Sequence, residues 1–483
     1  MTLRRGTVAR YAVGSVGTGG FATLPGLVLV FYLTDTLGVA AGLAGLLVTA
    51  AKVWDVVIDP LIGAASDRER ARIGRRRRLM VVGGLALPVF FTLTFAVPAG
   101  LAPAGAATWV LLAFLAAATA FSLFQVPYIA LPAELAGTYD ARTRLLTARV
   151  VVLTAAILLF GGGGPALRGL GGDDERLGYL LMAVAASLVL GAALLVASTV
   201  ERSAGPPAPP RPVPARARLA AHYREGLGLL RSSRPFRTLL GAFVLQALAT
   251  GAMLAGAQYV ATWVLDDTAA VTFLFVALVG PALVVTPAWG VLARRTGKER
   301  AFRLASVLFA VAALALLPLA WAPGAWVYAP VALAGAAYAG MQSLPMAMLP
   351  DVIAHDARVT RSDRAGAFGG VWTAGETTGM ALGTTLLTVV LAVTGYVEST
   401  GGETVVQPSA AVLGIVASFS LLPAVLVAAS LLPLGRYPLR RRDVDAPDDV
   451  PDVAPGSPAD ADPGPTRADD PSPRPCSPHK EAP

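Results

Sequence analysis

Apolar residues in this chain neither alternate nor recur every three or four positions. They run on for about twenty residues at a time, separated by short polar stretches. Runs of that length cross roughly 30 Å of hydrocarbon as helices. The pattern predicts twelve spans, at 11–34, 41–65, 79–98, 105–131, 145–164, 178–199, 237–263, 269–293, 301–321, 325–349, 366–394 and 409–434. The expected class is an all-α membrane protein whose partner is the lipid bilayer.

Polar breaks between the runs carry a charge asymmetry. The 66–78 loop holds Arg68, Arg70, Arg72, Arg75, Arg76, Arg77 and Arg78, and 294–303 adds Arg294, Arg295, Lys298, Arg300 and Arg303. The 200–236 segment carries seven arginines, whereas Arg168 and Arg176 are the basic residues of the alternate loops. Basic loops stay on the cytoplasmic side. With an even number of spans, both termini are expected there, in a multi-pass plasma (inner) membrane protein. The apolar stretch after the basic Met1–Arg10 is too long for a cleavable signal.

Four segments follow: an N-terminal six-helix half (1–199), a linker (200–236), a C-terminal six-helix half (237–434) and a tail (435–483). The linker opens Pro-rich at Pro206–Pro214. It continues as a basic amphipathic stretch, Arg216–Arg234, suited to the inner leaflet. From Asp443 onward the tail has ten acids against three bases and many prolines, a composition that predicts disorder.

The halves echo each other. Asp59-Pro60-Leu61-Ile62-Gly63 precedes Gly74-Arg75-Arg76, and Thr286-Pro287-Ala288-Trp289-Gly290 precedes Gly297-Lys298. Pro127 and Pro132 lie ahead of Glu134 and Asp140-Ala141-Arg142, as Pro345 and Pro350 lie ahead of Asp351 and Asp356-Ala357-Arg358. Two parallel six-helix repeats are a transporter architecture with the solute site at their interface near mid-membrane.

Composition narrows the chemistry. The 483 residues are 55% hydrophobic and 14% charged, against about 25% charged in soluble domains, and mean hydropathy is +0.62. One cysteine, Cys476, and three scattered histidines exclude a disulfide framework and a metal cluster. The net charge of +8 belongs to cytoplasmic loops rather than to a nucleic-acid surface. No cofactor beyond a coupling ion, H+ or Na+, is expected. No nucleophile–base pair marks an enzyme, and a monomer is expected.

Lys52, Asp55 and Asp59 fall at i, i+3 and i+7 and form one helical stripe inside an apolar span. Each charge there costs roughly 2.5–3.5 kcal/mol. The stripe is therefore either an ion pair that locks the bundle or a cation site in which Lys52 offsets one carboxylate. Arg149 in span five either hydrogen-bonds a polar solute or the span-two acids, or it snorkels. Glu376, with Thr377 beside it, is an intramembrane acid and hence a candidate site residue. Gln125, Gln246, Gln258 and Gln342 bind solute or bridge helices. Tyr128, Tyr259, Trp54 and Trp372 stack on a solute ring or pack. Asp67, Arg68, Arg75, Glu134, Arg142, Asp351, Arg358 and Arg364 form a cytoplasmic gating set, able to pair across the halves in one state and part in the other.

Lys52-Val53-Trp54-Asp55-x-x-x-Asp59-Pro60-x-x-Gly63 resembles the glycoside–pentoside–hexuronide:cation symporters, the melibiose-permease-like branch of the major facilitator superfamily. Val126-Pro127-Tyr128-x-Ala130-Leu131-x-x-Glu134, Met348-Leu349-Pro350-Asp351-Val352-Ile353 and Arg364-Ala365-Gly366-x-Phe368 extend the likeness. It implies the major facilitator fold and a secondary active transporter that moves a glycoside or related small solute by cation-coupled symport and alternating access. It assigns the coupling ion to Asp55 and Asp59 and solute contact to Arg149. Departures stand at Gly19, Ile58, Gln125 and Thr377, where galactoside-binding members carry an acid, Asn, an acid and Lys. Melibiose-like sugars are therefore not expected, and few oxygen ligands remain for sodium, which favours a proton. Export or flipping of an amphipathic compound is the alternative, followed by a non-transporting membrane sensor.

Overall fold

The computed structural model describes residues 4–135, 139–200, 228–360, 364–401 and 405–439. These belong to one compact unit, Met1–Val444. Most of the linker (201–227) and all of the tail from 440 on lie outside the described residues, and so do the side chains of Glu134 and Arg142.

The apolar runs are helices. In chain order they are α1 (Arg5–Phe31), α2 (Ala41–Ile73), α3 (Arg77–Phe95), α4 (Pro103–Leu135), α5 (Tyr139–Arg168), α6 (Glu175–Ser198), α7 (Arg234–Trp263), α8 (Ala270–Thr296), α9 (Lys298–Leu314), α10 (Tyr328–Thr360), α11 (Ala365–Val393), α12 (Ser409–Phe419) and α13 (Leu421–Gly435). A break at Ser420, whose φ is −120° and ψ −69°, splits the expected last span into α12 and α13. Among the described residues, eleven helical stretches are long and apolar enough to cross a membrane, α12 and α13 counting as one. The twelfth expected span is α10. It is 33 residues long but diluted by Tyr328, Tyr338, Gln342, Ser343 and its prolines. No strand ladder forms among the described residues, only a single bridge between Leu37 and Thr400.

The sequence echo reappears in three dimensions. Helices α2 and α8 both end at a glycine with positive φ, Gly74 (71°) and Gly297 (95°), and α3 and α9 start within three residues of it. A side chain at either position would be strained. Interior prolines also repeat, Pro60 in α2 matching Pro287 in α8, and Pro127/Pro132 in α4 matching Pro345/Pro350 in α10. In a membrane helix, neighbouring groups re-satisfy the backbone that proline frees.

Packing obeys the same two-fold relation. In the first half α3 packs on α4 and α6, α1 on α5 and α6, and α2 on α4. In the second half α9 packs on α10 and α13, α7 on α11 and α13, and α8 on α10. The halves meet along three seams: α2 on α11, its equivalent α5 on α8, and α1 on α7.

Small residues set how closely helices approach, because lipid supplies no hydrophobic drive to push them together. Gly375, Gly379 and Gly383 form a stripe on α11 against α7. A Cβ on Gly379 would meet that of Ala247 at 2.8 Å, and one on Gly383 would strike the Leu248 carbonyl. Gly383→Leu is expected to lower the stability of the purified protein by more than about 3 kcal/mol. A melting temperature in detergent within a degree of wild type would contradict that.

At the end of the helices opposite the arginine-rich loops, the halves are laced together. There α1 runs into a π-helical turn, Tyr32–Thr36, which places Asp35, 4% exposed, against the second half. One carboxylate oxygen accepts from Trp263 Nε1 at 3.0 Å and from Tyr396 Oη at 2.5 Å, and the other accepts from Thr34 Oγ1 at 2.5 Å. Tyr259 Oη lies 2.7 Å from Thr34 Oγ1. Ser399 donates to the Asp35 carbonyl at 2.9 Å, and Glu398 accepts from the Ala41 amide at 2.9 Å. Farther along the other seams, Thr49 and Thr385 hydroxyls share a hydrogen bond, and Thr272 donates to the Gly162 carbonyl at 3.3 Å.

Near the arginine-rich end, three ion pairs among the described residues each lie within one half. Asp67 pairs with Arg76 at 2.8 Å, Asp351 with Lys298 at 2.6 Å and Asp356 with Arg364 at 2.7 Å. Asp351 takes Lys298, on the adjacent helix start, as its partner. Buried Arg76, which also donates to Ser66 at 2.7 Å, takes Asp67, while its neighbour Arg75 is exposed. Arg68 donates to the Ala64 carbonyl at 3.2 Å.

Candidate functional site

The site grows from α2 and the helix it leans on, α4. Lys52 and Asp55 pair at 3.2 Å with both side chains partly buried. That leaves Asp59, one turn on, as the carboxylate without a matched charge. Its Oδ1 is buried and has no hydrogen-bond partner. Ser122 of α4 approaches the carboxyl group.

Helix α4 presents a polar ladder, Thr119, Ser122, Gln125 and Tyr128, one group every three residues. Thr119 accepts from Trp54 Nε1 at 2.8 Å, which fixes the turn that carries Asp55. Gln125 Oε1 accepts from Thr18 of α1 at 2.8 Å. Tyr128 is 0% exposed. Its ring stacks on Tyr11 at 4.7 Å and on Phe124 at 5.1 Å, and its hydroxyl donates to the Tyr11 carbonyl at 2.8 Å. Its ring is thus packed within the protein. Arg149 of α5 lies over this stack, its guanidinium carbon 5.6 Å from the Tyr128 ring centre, with Nε buried and unpartnered.

In the second half, Trp372 is 2% exposed and stacks on Phe243 at 4.3 Å, with Nε1 unpartnered. Glu376 and Thr377 follow one turn later on α11. Glu376 lines a small cavity with Gln246, Thr250, Tyr338 and Gln342. Gln258 instead lies by Arg168. Turned so that both its polar ends are satisfied, its carbonyl accepts from the guanidinium at 3.1 and 3.2 Å.

The expected site residues therefore form groups rather than one cluster: Lys52, Asp55 and Asp59 on α2 against α4, Arg149 with Tyr128, and Trp372, Glu376 and Thr377 on α11. Sequence reasoning missed Ser122, Thr119, Tyr11 and Asp35. The three-residue ladder on α4 would have pointed to the first two. Buried polar atoms normally find partners. Asp59 Oδ1, Arg149 Nε, Tyr11 Oη, Gln246 Oε1 and Trp372 Nε1 do not, and all lie in or beside these groups.

The pattern of the family described as MFS/sugar transport protein matches residues 10–441. The inner membrane symporter YicJ of Escherichia coli K12 is 27% identical over 186 residues, covering 38% of this chain and 40% of that protein. Over the first curated relatives the match spans 27% to 40% of their length. The glucuronide carrier protein homolog of the same bacterium is 24% identical over 443 residues, covering 90% of this chain and 92% of its own. The crystal structure of a mutant of the nucleoside transporter NupG superposes with a TM-score of 0.62 at 12% identity, covering 88% of this chain and 98% of that one, a likeness of fold. Helix order, two-fold packing and the α2 motif agree with that match: the chain belongs to the MFS/sugar transport family and, within it, to the glycoside–pentoside–hexuronide:cation symporters.

Proposed function

We propose that this protein is a proton-coupled symporter that moves a glycoside or related small polar solute across the plasma membrane by alternating access. The observation that carries the reading is the buried, unpartnered oxygen of Asp59 one turn from the neutralised Lys52–Asp55 pair. An acid so placed takes up one positive charge. Solute binding then couples to it when the site binds solute well only in the neutralised state.

Ser122 is the added oxygen near Asp59, and Ile58 lies where the galactoside-binding relatives have Asn, which favours a proton over sodium. Arg149, held against the Tyr11–Tyr128 stack, supplies a planar donor to the solute, and Gln125, Trp372, Glu376 and Thr377 complete the walls. The charge of the basic loops favours cytoplasmic termini. The laced end is then extracellular and the described state faces the cytoplasm. Closing that side would bring the gating set (Asp67, Arg68, Arg75, Glu134, Arg142, Asp351, Arg358, Arg364) into register between the halves.

Purified protein in liposomes, offered radiolabelled glycosides and uronides, tests this. An inward proton gradient is expected to drive accumulation and a sodium gradient at constant pH to add less than twofold. Sodium-driven uptake indifferent to the proton gradient would exclude the proton, and uptake indifferent to both would exclude coupled symport.

A further inference from the structure

The cavity beside Glu376 is lined by α7, α10 and α11 of the second half, with none of its lining residues from α1–α6. Its water-accessible space is about 10 Å³, room for about one water-sized group. Phe243, Ala247, Met341 and Met380 make much of its wall apolar, and the polar groups set among them include several acceptors, as the hydrogen-bond pattern shows. Ser306 and Ser430 donate their protons to the carbonyls of Phe302 (2.9 Å) and Val427 (2.6 Å). Their oxygens can therefore only accept, and they take both protons of the Gln246 amide, at 2.9 and 3.0 Å. Gln246, 2% exposed, is thereby locked with Oε1 left over as a buried acceptor without a donor. Thr250 donates to the Gln246 carbonyl at 2.8 Å and presents lone pairs. Gln342 donates an amide proton to Tyr338 Oη at 2.6 Å and has its own carbonyl to offer.

Glu376 adds a carboxylate. The pairs Lys52–Asp55, Asp67–Arg76, Lys298–Asp351 and Arg364–Asp356 use other acids than Glu376. Phe243, whose ring is stacked against Trp372, supplies an aromatic wall. A carboxylate, two amide oxygens and the Thr250 hydroxyl oxygen outnumber the one phenolic proton that Tyr338 keeps, and together they suit a positively charged occupant with several donors, as an ammonium has. A neutral hydroxyl would bring one proton and no charge.

We infer that this cavity is a binding subsite for a small monovalent cationic group, with Glu376 as its counter-charge. Two sources share that chemistry, a protonated amine on the transported solute and a free alkali cation. The inference deepens the solute-site reading above, and rests on it for the first source only. An amine source makes the substrate an amino-bearing glycoside or similar cationic solute. An alkali cation makes the subsite a second ion site beyond Asp59.

Thermal stabilisation of the purified full chain reads binding without requiring transport. One arm uses matched neutral and amino-substituted glycosides (a methyl glucoside and its 2-amino analogue among them) in choline buffer. The other titrates sodium and lithium against choline with no solute. Stabilisation by the amino compounds at concentrations at least tenfold below their neutral partners, or by alkali ions alone, is expected. Glu376→Gln, which keeps side-chain volume, should weaken that response by about tenfold or more, and Glu376→Asp should retain part of it. The inference is overturned if neither arm stabilises the wild type, if neutral and amino compounds act alike and alkali ions do nothing, or if the response survives Glu376→Gln unchanged. A variant whose ligand-free melting temperature has collapsed is replaced by Gln246→Met, which removes the orphan acceptor instead. Because Asp59 takes no part in the subsite, Asp59→Asn should still show the Glu376-dependent response. Coupled symport and the cationic subsite can therefore fail separately.

Discussion

Asp59→Asn should abolish uphill accumulation while leaving exchange of solute down its gradient nearly intact. One positive charge moved with each solute through a 100 mV potential is worth about 2.3 kcal/mol, close to a 50-fold concentration ratio at equilibrium. The variant should bring that ratio to about one. Its amide keeps the size and polarity of the side chain, and the Lys52–Asp55 pair at 3.2 Å is untouched, so the loss would report the missing charge rather than a damaged helix. Counterflow, which needs no net ion movement, should stay within a few fold of wild type. Undiminished accumulation would remove Asp59 from the coupling step, and loss of counterflow together with accumulation would make its role structural.

The second large effect is expected at Asp35. Asp35→Ala withdraws the acceptor from Trp263 Nε1 and Tyr396 Oη and leaves two donors without it in a region with almost no water access. Each buried donor left unsatisfied typically costs about 1–3 kcal/mol. The residue ties α1 to α7 and to the segment after α11, so the loss falls on the laced end. Two readouts should move together. One is a lower melting temperature in detergent. The other is faster maleimide labelling of a Thr49→Cys reporter in a Cys476→Ser background, with the reagent applied from the face opposite the arginine-rich loops. A stability loss without faster labelling would make Asp35 a general packing element and not a latch between the halves.

The reach of sequence reasoning differs between these two residues for a physical reason. Asp59 announces itself because a carboxylate in an apolar run, one turn from another and near a lysine, violates the cost of charge in hydrocarbon. Asp35 sits where span one ends, a place where an acid costs little in an open loop, and its partners Trp263 and Tyr396 lie 228 and 361 residues away. Nothing local distinguishes it from a solvated end. The span pattern and the internal echo were legible because membrane thickness and duplication write themselves at long range. Side-chain direction was not. The three-residue ladder of α4 marks Tyr128 as part of a polar stripe but does not tell that its ring packs on Tyr11 and Phe124. The basic loops showed a crowd of arginines without showing that Arg76, not Arg75, turns inward to Ser66 and Asp67.

The two-fold matching of the seams has a mechanical corollary. The α2–α11 and α5–α8 seams join equivalent helices, the first more extensively, and α1 on α7 is the third seam. Prising one of the first two apart while its twin stays shut would shear the rigid, glycine-spaced α7–α11 board across the bilayer. The seams must yield in unison, like a lid lifted on paired hinges. A ligand that wedges only one flank would therefore stall the entire cycle.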